Sequence, residues 1–325
     1  MTAFVLLHGF AQTPRSWNTV ARALQETGHR TYALDLYGAG LMGSSTTWSG
    51  GGEGEPDAPK VASASGADCG THAGSGGFAS GFAPAPEASS ASGVALGGGA
   101  TSTFTTPVPE AASGDSLASL AAVCDRVAAT VRLVAAVEGA PVLVGYSMGG
   151  RIAAETLVRH PGLPLVAVLL EGAGLGPADE AGRAVLARRN RDWAARLRHG
   201  GVGAFMDWWE TLPLFASQRT LPAEMRAAVR AERMVHTADE LARSLEAWGA
   251  QHQAIEADTL VALQTLGERG VSALYLAGAR DEKYAALAER VWQADLPASV
   301  VPEAGHNVHL EQPAAYLEAL ASILA

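Results

Sequence analysis

The sequence predicts an α/β protein with a mostly parallel, doubly wound sheet, a helical cap and a low-complexity insertion. Three observations predict it. Short apolar runs alternate with stretches of helical period over most of the 325 residues. One long stretch, 176–257, is helical in pattern throughout. A third, 43–114, is mostly Gly, Ala, Ser, Thr and Pro. Strands that alternate with helices pair in parallel, because each helical crossover returns the chain to the same end of the sheet.

Taken in order, AFVLLHG (3–9) reads as a buried strand, 14–28 as a helix closed by glycine, and RTYALDL (30–36) as a second strand. Segment 43–114 cannot bury enough apolar surface to offset its ordering entropy, so it is expected to be a disordered surface insertion. Beyond it, 115–137 has apolar residues at helical spacing, PVLVGYS (141–147) is a strand, and MGGRIAAETLVRH (148–160) is a helix. LPLVAVLLEG (163–172) is the next strand, followed by the helical stretch. VSALYLAG (271–278), a helix from Glu282, the short ASVVPE (298–303) and a last helix from Gln312 complete the chain. The core is therefore expected in three parts, 1–42, 115–175 and 258–325, with the cap over 176–257.

A hydrophobic fraction of 48% is ample for a buried core. The net charge of −10 argues against nucleic acid as a partner. No leader pattern precedes the first strand and no apolar run is long enough to span a bilayer, so a soluble, cytoplasmic protein without a membrane partner is expected. Oligomeric state is not fixed by the sequence, a monomer being slightly favoured. Cys69 and Cys124 lie in unlike surroundings, which disfavours a disulfide or a metal cage; Cys124 reads as buried filler. No cofactor and no metal are called for.

Gly145-Tyr146-Ser147-Met148-Gly149 is a G-x-S-x-G pattern between an apolar strand and a helix. In that context the tight turn exposes the serine Oγ at the carboxyl edge of the sheet. The loop after the first strand, with Phe10, and the residue after the serine, Met148, would supply oxyanion-hole amides. His8 reads as a structural loop histidine. Asp281 and His306 follow later strands in the loops GARDEK and EAGHNVH, in the chain order nucleophile, acid, histidine. They are expected to complete a triad in which Asp281 orients His306 and His306 activates Ser147. His309 is the alternative histidine and Glu171 the competing acid.

Eleven arginines fall in the cap. Most are read as solvated faces paired with local acids. Arg151 differs: four residues after the serine on the same helix, a guanidinium there suits a substrate carboxylate, which its planar fork can bind through two hydrogen bonds. Of the cluster Phe205, Trp208, Trp209 and Phe215, the residues Trp208 and Phe215 are kept as pocket candidates.

GYSMGGR, LLEGAG, MDWWETLPLFASQ, GARDEKY and AGHNVHLEQP together resemble the 2-succinyl-6-hydroxy-2,4-cyclohexadiene-1-carboxylate synthases (MenH type) of the α/β-hydrolase superfamily. The resemblance implies the α/β-hydrolase fold and a lyase of menaquinone (vitamin K2) biosynthesis. Such an enzyme eliminates pyruvate from an enolpyruvyl cyclohexene tricarboxylate without a cofactor. It implies the triad Ser147, Asp281 and His306, with Tyr146, Arg151, Arg230, Trp208 and Phe215 at the substrate. Where some members have a further arginine in the first cap helix, this sequence has Leu186, so Arg183 or Arg188, a turn to either side, is expected to substitute. DLYGAG also replaces the DLPGHG common among relatives, implying a remodelled loop. A carboxylic-ester or C–C-bond hydrolase is the rival enzyme. A non-catalytic ligand-binding protein of the same fold is disfavoured by the intact set of triad residue types.

Overall fold

The computed structural model describes residues 1–38 and 119–324. The insertion expected at 43–114 lies outside them, as does Cys69. Among the described residues six strands form one sheet: β1 (Ala3–Leu7), β2 (Arg30–Leu34), β3 (Val142–Tyr146), β4 (Ala167–Glu171), β5 (Ser272–Gly278) and β6 (Ala298–Val301). Their order is β2-β1-β3-β4-β5-β6 and every pairing is parallel. The sheet expected to be mostly parallel is thus parallel throughout. The order reverses between β1 and β3, the switch point at whose carboxyl edge ligands bind in open sheets of this type.

Both faces of the sheet are covered, which is why its inner strands read as continuous apolar runs. In β1 the side chains alternate: Ala3, Val5 and Leu7 join one core, Phe4 and Leu6 the other. The first core also receives α2 (Leu120–Glu138), α3 (Met148–Arg159), α7 (Glu256–Glu268) and α8 (Glu282–Gln293). The second receives α1 (Asn18–Glu26) and α10 (Pro313–Ser322), through Val20, Leu24, Tyr316 and Leu320. Each fully buried leucine of this kind contributes about 1.5–3 kcal/mol through burial.

The segment 14–28 is a 3-10 turn, Pro14–Trp17, running into α1. Helix α2 starts from Ser119, whose hydroxyl accepts the Ala122 amide at 3.2 Å. Over the sheet lie α4 (Glu180–Trp209), α5 (Ala223–Arg233) and α6 (Ala238–Ala247), joined by 3-10 turns. Helix α4 is broken at Gly201, whose φ of 74° and ψ of 172° are not helical. Helix α7 starts at Glu256, two residues before the core segment expected from 258. Its buried Leu263 and Leu266 belong to the core beside the sheet. A short α9 (Val308–Glu311) precedes α10. Among the described residues no helix is long and apolar enough to cross a membrane.

Candidate active site

Ser147 sits between β3 and α3 with φ 52° and ψ −108°, a conformation costing a non-glycine residue on the order of 1–3 kcal/mol. The surroundings fix it there. Its amide donates to the Glu171 carbonyl at 2.8 Å, and its carbonyl accepts the Arg151 amide at 3.0 Å. The glycines of the pattern are demanded by close approach: a Cβ on Gly145 would stand 2.6 Å from the Gly149 carbonyl oxygen, and one on Gly149 would stand 2.2 Å from that of Leu7.

The structure brings Ser147, His306 and Asp281 together. His306 Nε2 lies 2.9 Å from Ser147 Oγ, and His306 Nδ1 lies 2.7 Å from Asp281 Oδ2. A carboxylate only accepts, so Nδ1 carries the proton and Nε2 is free to accept from the serine hydroxyl. Both loops are pinned. Asp281 caps α8, and the Arg280 amide donates to the Ala304 carbonyl at 2.8 Å, tying the acid loop to the histidine loop. His306 is 2% exposed and Asp281 5%, so their ion-dipole contact is shielded from water. The rings of Tyr284, Tyr146 and Phe215 surround the imidazole at 4.9, 5.3 and 6.1 Å.

Met148 begins α3, where the leading amides of a helix lack partners within it. On either side of Phe10, the Gly9 amide donates to Gln12 Oε1 at 2.9 Å and the Ala11 amide to Tyr37 Oη at 3.1 Å. Tyr146 is buried beneath the elbow, its phenol pushed well above the usual range by burial. The competing residues are used elsewhere: Glu171 binds His309, Nδ1 to Oε2 at 2.6 Å, on the other side of Tyr146. His8 is fully buried; its ring contacts the Gly9 carbonyl at 2.9 Å and accepts the Leu36 amide at 3.0 Å, a loop-holding role. Cys124 is buried in the core, its thiol raised to about 12 by burial.

Arg151 projects from α3 under the cap, where Nη1 donates to the Trp248 carbonyl at 3.1 Å. Burial pulls its guanidinium down to about 10, still charged at neutral pH. No carboxylate among the described residues pairs with it. The same holds for Arg189 of α4, which lies over the Trp193 ring at 4.5 Å, bonds Asn190 Oδ1, and is also lowered by burial. Both cations lie within electrostatic reach of Tyr284, the ring tilted against His306 at 4.9 Å, and of each other.

The other cap residues expected at the substrate stand differently. Arg183 is a clip: its Nε reaches Glu180 at 2.9 Å and its Nη1 donates to the Gln251 and Gln253 carbonyls, both at 2.7 Å. Arg188 is exposed. Arg189, which neither alternative named, has no acid among the described residues and is within electrostatic reach of Tyr284 and Arg151. Arg230 is held by Asp207 at 2.6 Å and Glu210 at 3.2 Å, and lines a cavity whose walls include none of the triad. Trp208 lies under the Arg196 guanidinium at 4.4 Å, whereas its neighbour Trp209 faces Phe10 at 5.2 Å and Phe215 at 5.6 Å. The expectation for Trp208 therefore passes to Trp209. One signal could have found it: Phe205 and Trp209 are four apart and share a helix face. Phe215 lies edge-on against His306 at 6.1 Å. Among the described residues no group of His, Cys, Asp and Glu could hold a metal ion.

The model of the alpha/beta hydrolase family matches residues 4–319. The chain belongs to that family. It is 38% identical over 184 residues to the 2-succinyl-6-hydroxy-2,4-cyclohexadiene-1-carboxylate synthase of Salmonella typhimurium, covering 56% of this chain and 67% of the relative. The protein of that name from Escherichia coli O1:K1 is 38% identical over 185 residues, with the same coverage. The resemblance read from the sequence motifs is thus borne out. In three dimensions the chain is similar to MenH from S. aureus, with a TM-score of 0.68 at 19% identity, over 99% of this chain and 93% of that one. It is also similar to a thermophilic esterase from Thermogutta terrifontis, with a TM-score of 0.59 at 19% identity, over 100% and 89%. Those two likenesses concern the fold.

Proposed function

We propose that this enzyme-family chain is a cytoplasmic lyase of menaquinone biosynthesis. It eliminates pyruvate from 2-succinyl-5-enolpyruvyl-6-hydroxy-3-cyclohexene-1-carboxylate to give 2-succinyl-6-hydroxy-2,4-cyclohexadiene-1-carboxylate. The observation that carries this reading is the pair Arg151 and Arg189, two partly buried cations beside the triad with no carboxylate of their own among the described residues. A buried charge without a counter-charge is costly, and a polycarboxylate substrate supplies the missing partners. The named relatives support the same substrate class.

In this reading Asp281 orients His306, His306 takes the Ser147 proton, and the alkoxide removes a proton from the ring carbon that bears the succinyl group. That electron pair forms a double bond to the adjacent ring carbon. The existing ring double bond shifts one position, and the carbon–oxygen bond to the enolpyruvyl group breaks. The departing enolpyruvate gains a proton and becomes pyruvate, so nothing is oxidised or reduced and water is not consumed. Deprotonation beside a ketone leaves an enolate oxygen, which the Phe10 and Met148 amides would hold. Phe215 and Trp209 wall off solvent from the ring, while Arg151 and Arg189 fix the carboxylates.

The test is direct. Purified protein is incubated with the enolpyruvyl substrate, and pyruvate release is followed by a coupled dehydrogenase. Stoichiometric pyruvate with formation of the diene chromophore supports the reading. Efficient turnover of simple esters without pyruvate release would return the chain to the carboxylesterases, whose fold it also shares.

A further inference from the structure

The turn 9–13, which follows β1 and carries Phe10, is held by the cap. Glu232, in the last turn of α5, accepts on its Oε1 both the amide and the hydroxyl of Thr13, each at 2.8 Å. His236, between α5 and α6, lies with Nε2 3.2 Å from the Gln12 carbonyl; a carbonyl only accepts, so Nε2 carries the proton and donates. That ring rests against Tyr37 at 4.5 Å, and its side chain is 6% exposed. Tyr37 Oη in turn accepts the Ala11 amide at 3.1 Å. The Phe10 ring completes the junction, meeting Phe205 at 6.3 Å and Trp209 at 5.2 Å.

The amides of this turn are claimed one by one. Gly9 donates to Gln12 Oε1 at 2.9 Å, Ala11 to Tyr37, Gln12 back to the Gly9 carbonyl at 3.3 Å, and Thr13 to Glu232. Only the Phe10 amide has no acceptor among the described residues. In a turn whose other donors are all engaged, the one left over is the donor that a developing oxyanion can use. The turn is also under tension. Ala11 is held at φ 56°, a left-handed conformation that a residue with a Cβ avoids unless its surroundings over-determine it. Released from its clamps, the turn would relax and carry the Phe10 amide with it.

We propose that Glu232 and His236 are positioning residues, which from the cap fix the turn 9–13 so that the Phe10 amide stays in line with the oxyanion. The inference rests on the reading of Phe10 as an oxyanion-hole donor. Glu232 acts through Thr13, and His236 through the main chain of Gln12 and the ring of Tyr37. The oxyanion hole is thereby a joint product of core and cap, complete only while the cap is seated.

The test labels Ser147 with paraoxon, whose phosphoryl oxygen enters an oxyanion hole whichever reaction the protein performs. Intact-protein mass follows the labelling rate, and kcat and KM for pyruvate release are measured beside it. Glu232→Ala should slow labelling and kcat roughly tenfold with KM little changed, because a donor moved out of line loses part of what deleting it would cost. Glu232→Gln keeps an accepting oxygen and should stay within about twofold of the native chain. His236→Phe, which keeps a ring against Tyr37 and loses the donor, should slow both by about fivefold. Labelling slowed in Glu232→Ala and recovered in Glu232→Gln supports the inference even if the native chain releases no pyruvate, a result that ends the lyase reading alone. The proposal is overturned if folded Glu232→Ala labels at the native rate, or if Glu232→Gln is as slow as Glu232→Ala. Should Glu232→Ala not fold, a His236→Phe that labels at the native rate overturns it. A native Ser147 that does not react at all overturns it too, since there is then no working hole to position.

Discussion

Glu171 and His309 form a buried pair: Oε2 lies 2.6 Å from Nδ1, and Oε1 accepts the His309 amide at 3.1 Å. Glu171 is 0% and His309 2% exposed, and Trp17 stacks on the imidazole at 4.2 Å. The same residue receives the Ser147 amide on its carbonyl. Glu171 at the end of β4 thus holds the nucleophile turn through its main chain and the histidine loop through its side chain. Replacing it by alanine strands a buried histidine and its amide, and should cost about 3 kcal/mol or more. Glu171→Gln, which keeps the shape, should cost less. Urea denaturation measures both, and a loss below about 0.5 kcal/mol for alanine would show that the pair holds nothing.

Ser147→Ala should lower kcat for pyruvate release by roughly a hundred- to ten-thousandfold, the range of a positioned general base. Asp281→Asn should fall in the same range, because an amide can donate to His306 Nδ1 and so favours the wrong tautomer. Intact-protein mass spectra during turnover should show no substrate adduct on Ser147.

Arg151 is a liability to the empty fold. Burial takes its pKa from 12.5 to about 10, and a cation whose pKa falls on folding destabilises at every pH below the lowered value. The cost fades only as pH climbs from about 10 towards 12.5. At neutral pH, Arg151→Met should therefore raise unfolding free energy by about 1–2 kcal/mol while cutting kcat/KM by roughly thirty- to a thousandfold. A variant both less stable and fully active would refute the carboxylate role.

Arg189 and Arg230 should separate in kinetics. Arg189 has no acid to leave behind, so Arg189→Ala should lower kcat/KM by about tenfold or more with little change in stability. Arg230 is neutralised by Asp207 and Glu210, so Arg230→Ala should change kcat/KM by less than about threefold and be felt instead in the melting temperature. The reverse pattern in a steady-state and melting comparison would restore Arg230 to the substrate.

Asp35, beside the His8 ring and accepting the Tyr37 and Gly38 amides at 3.0 Å each, is held down to about 2. Its folded pKa lies below the ordinary 3.8, so the stability it gives is present above 3.8 and is lost as pH falls towards 2. The contribution is about 1–2 kcal/mol, discounted because a quarter of the side chain meets water. Unfolding free energies of the native chain and Asp35→Asn should differ by that amount at pH 7 and converge near pH 2.

The sheet was legible because both of its faces are covered, so each inner strand writes itself as an unbroken apolar run between turn residues. The nucleophile turn was legible because close approach leaves only glycine at 145 and 149. What the sequence concealed lies in the cap. Trp208 and Trp209 are neighbours of one type, and only the packing of Phe10 and Phe215 decides which turns inward. Arg189 and Arg230 look alike in a string of arginines; Asp207 and Glu210 separate them, more than twenty positions away in the case of Asp207. Helix α7 starts at Glu256, two residues ahead of the core segment expected from 258, and its buried leucines lie beside the sheet.

The break in α4 divides labour between two segments. Ahead of Gly201 runs the stretch with Arg189, and behind it come Phe205 and Trp209. Gly201 permits the turn with its φ of 74°, and the angle is braced by rings that meet across it: Trp193 ahead of the break lies 5.8 Å from Trp208 and 5.0 Å from Trp209 behind it. The proposed grip of Arg189 and the aromatic segment behind the break are therefore one unit, joined through Trp193. A change at Trp193 therefore reaches both at once, the arginine resting on its face and the rings packed on its edge.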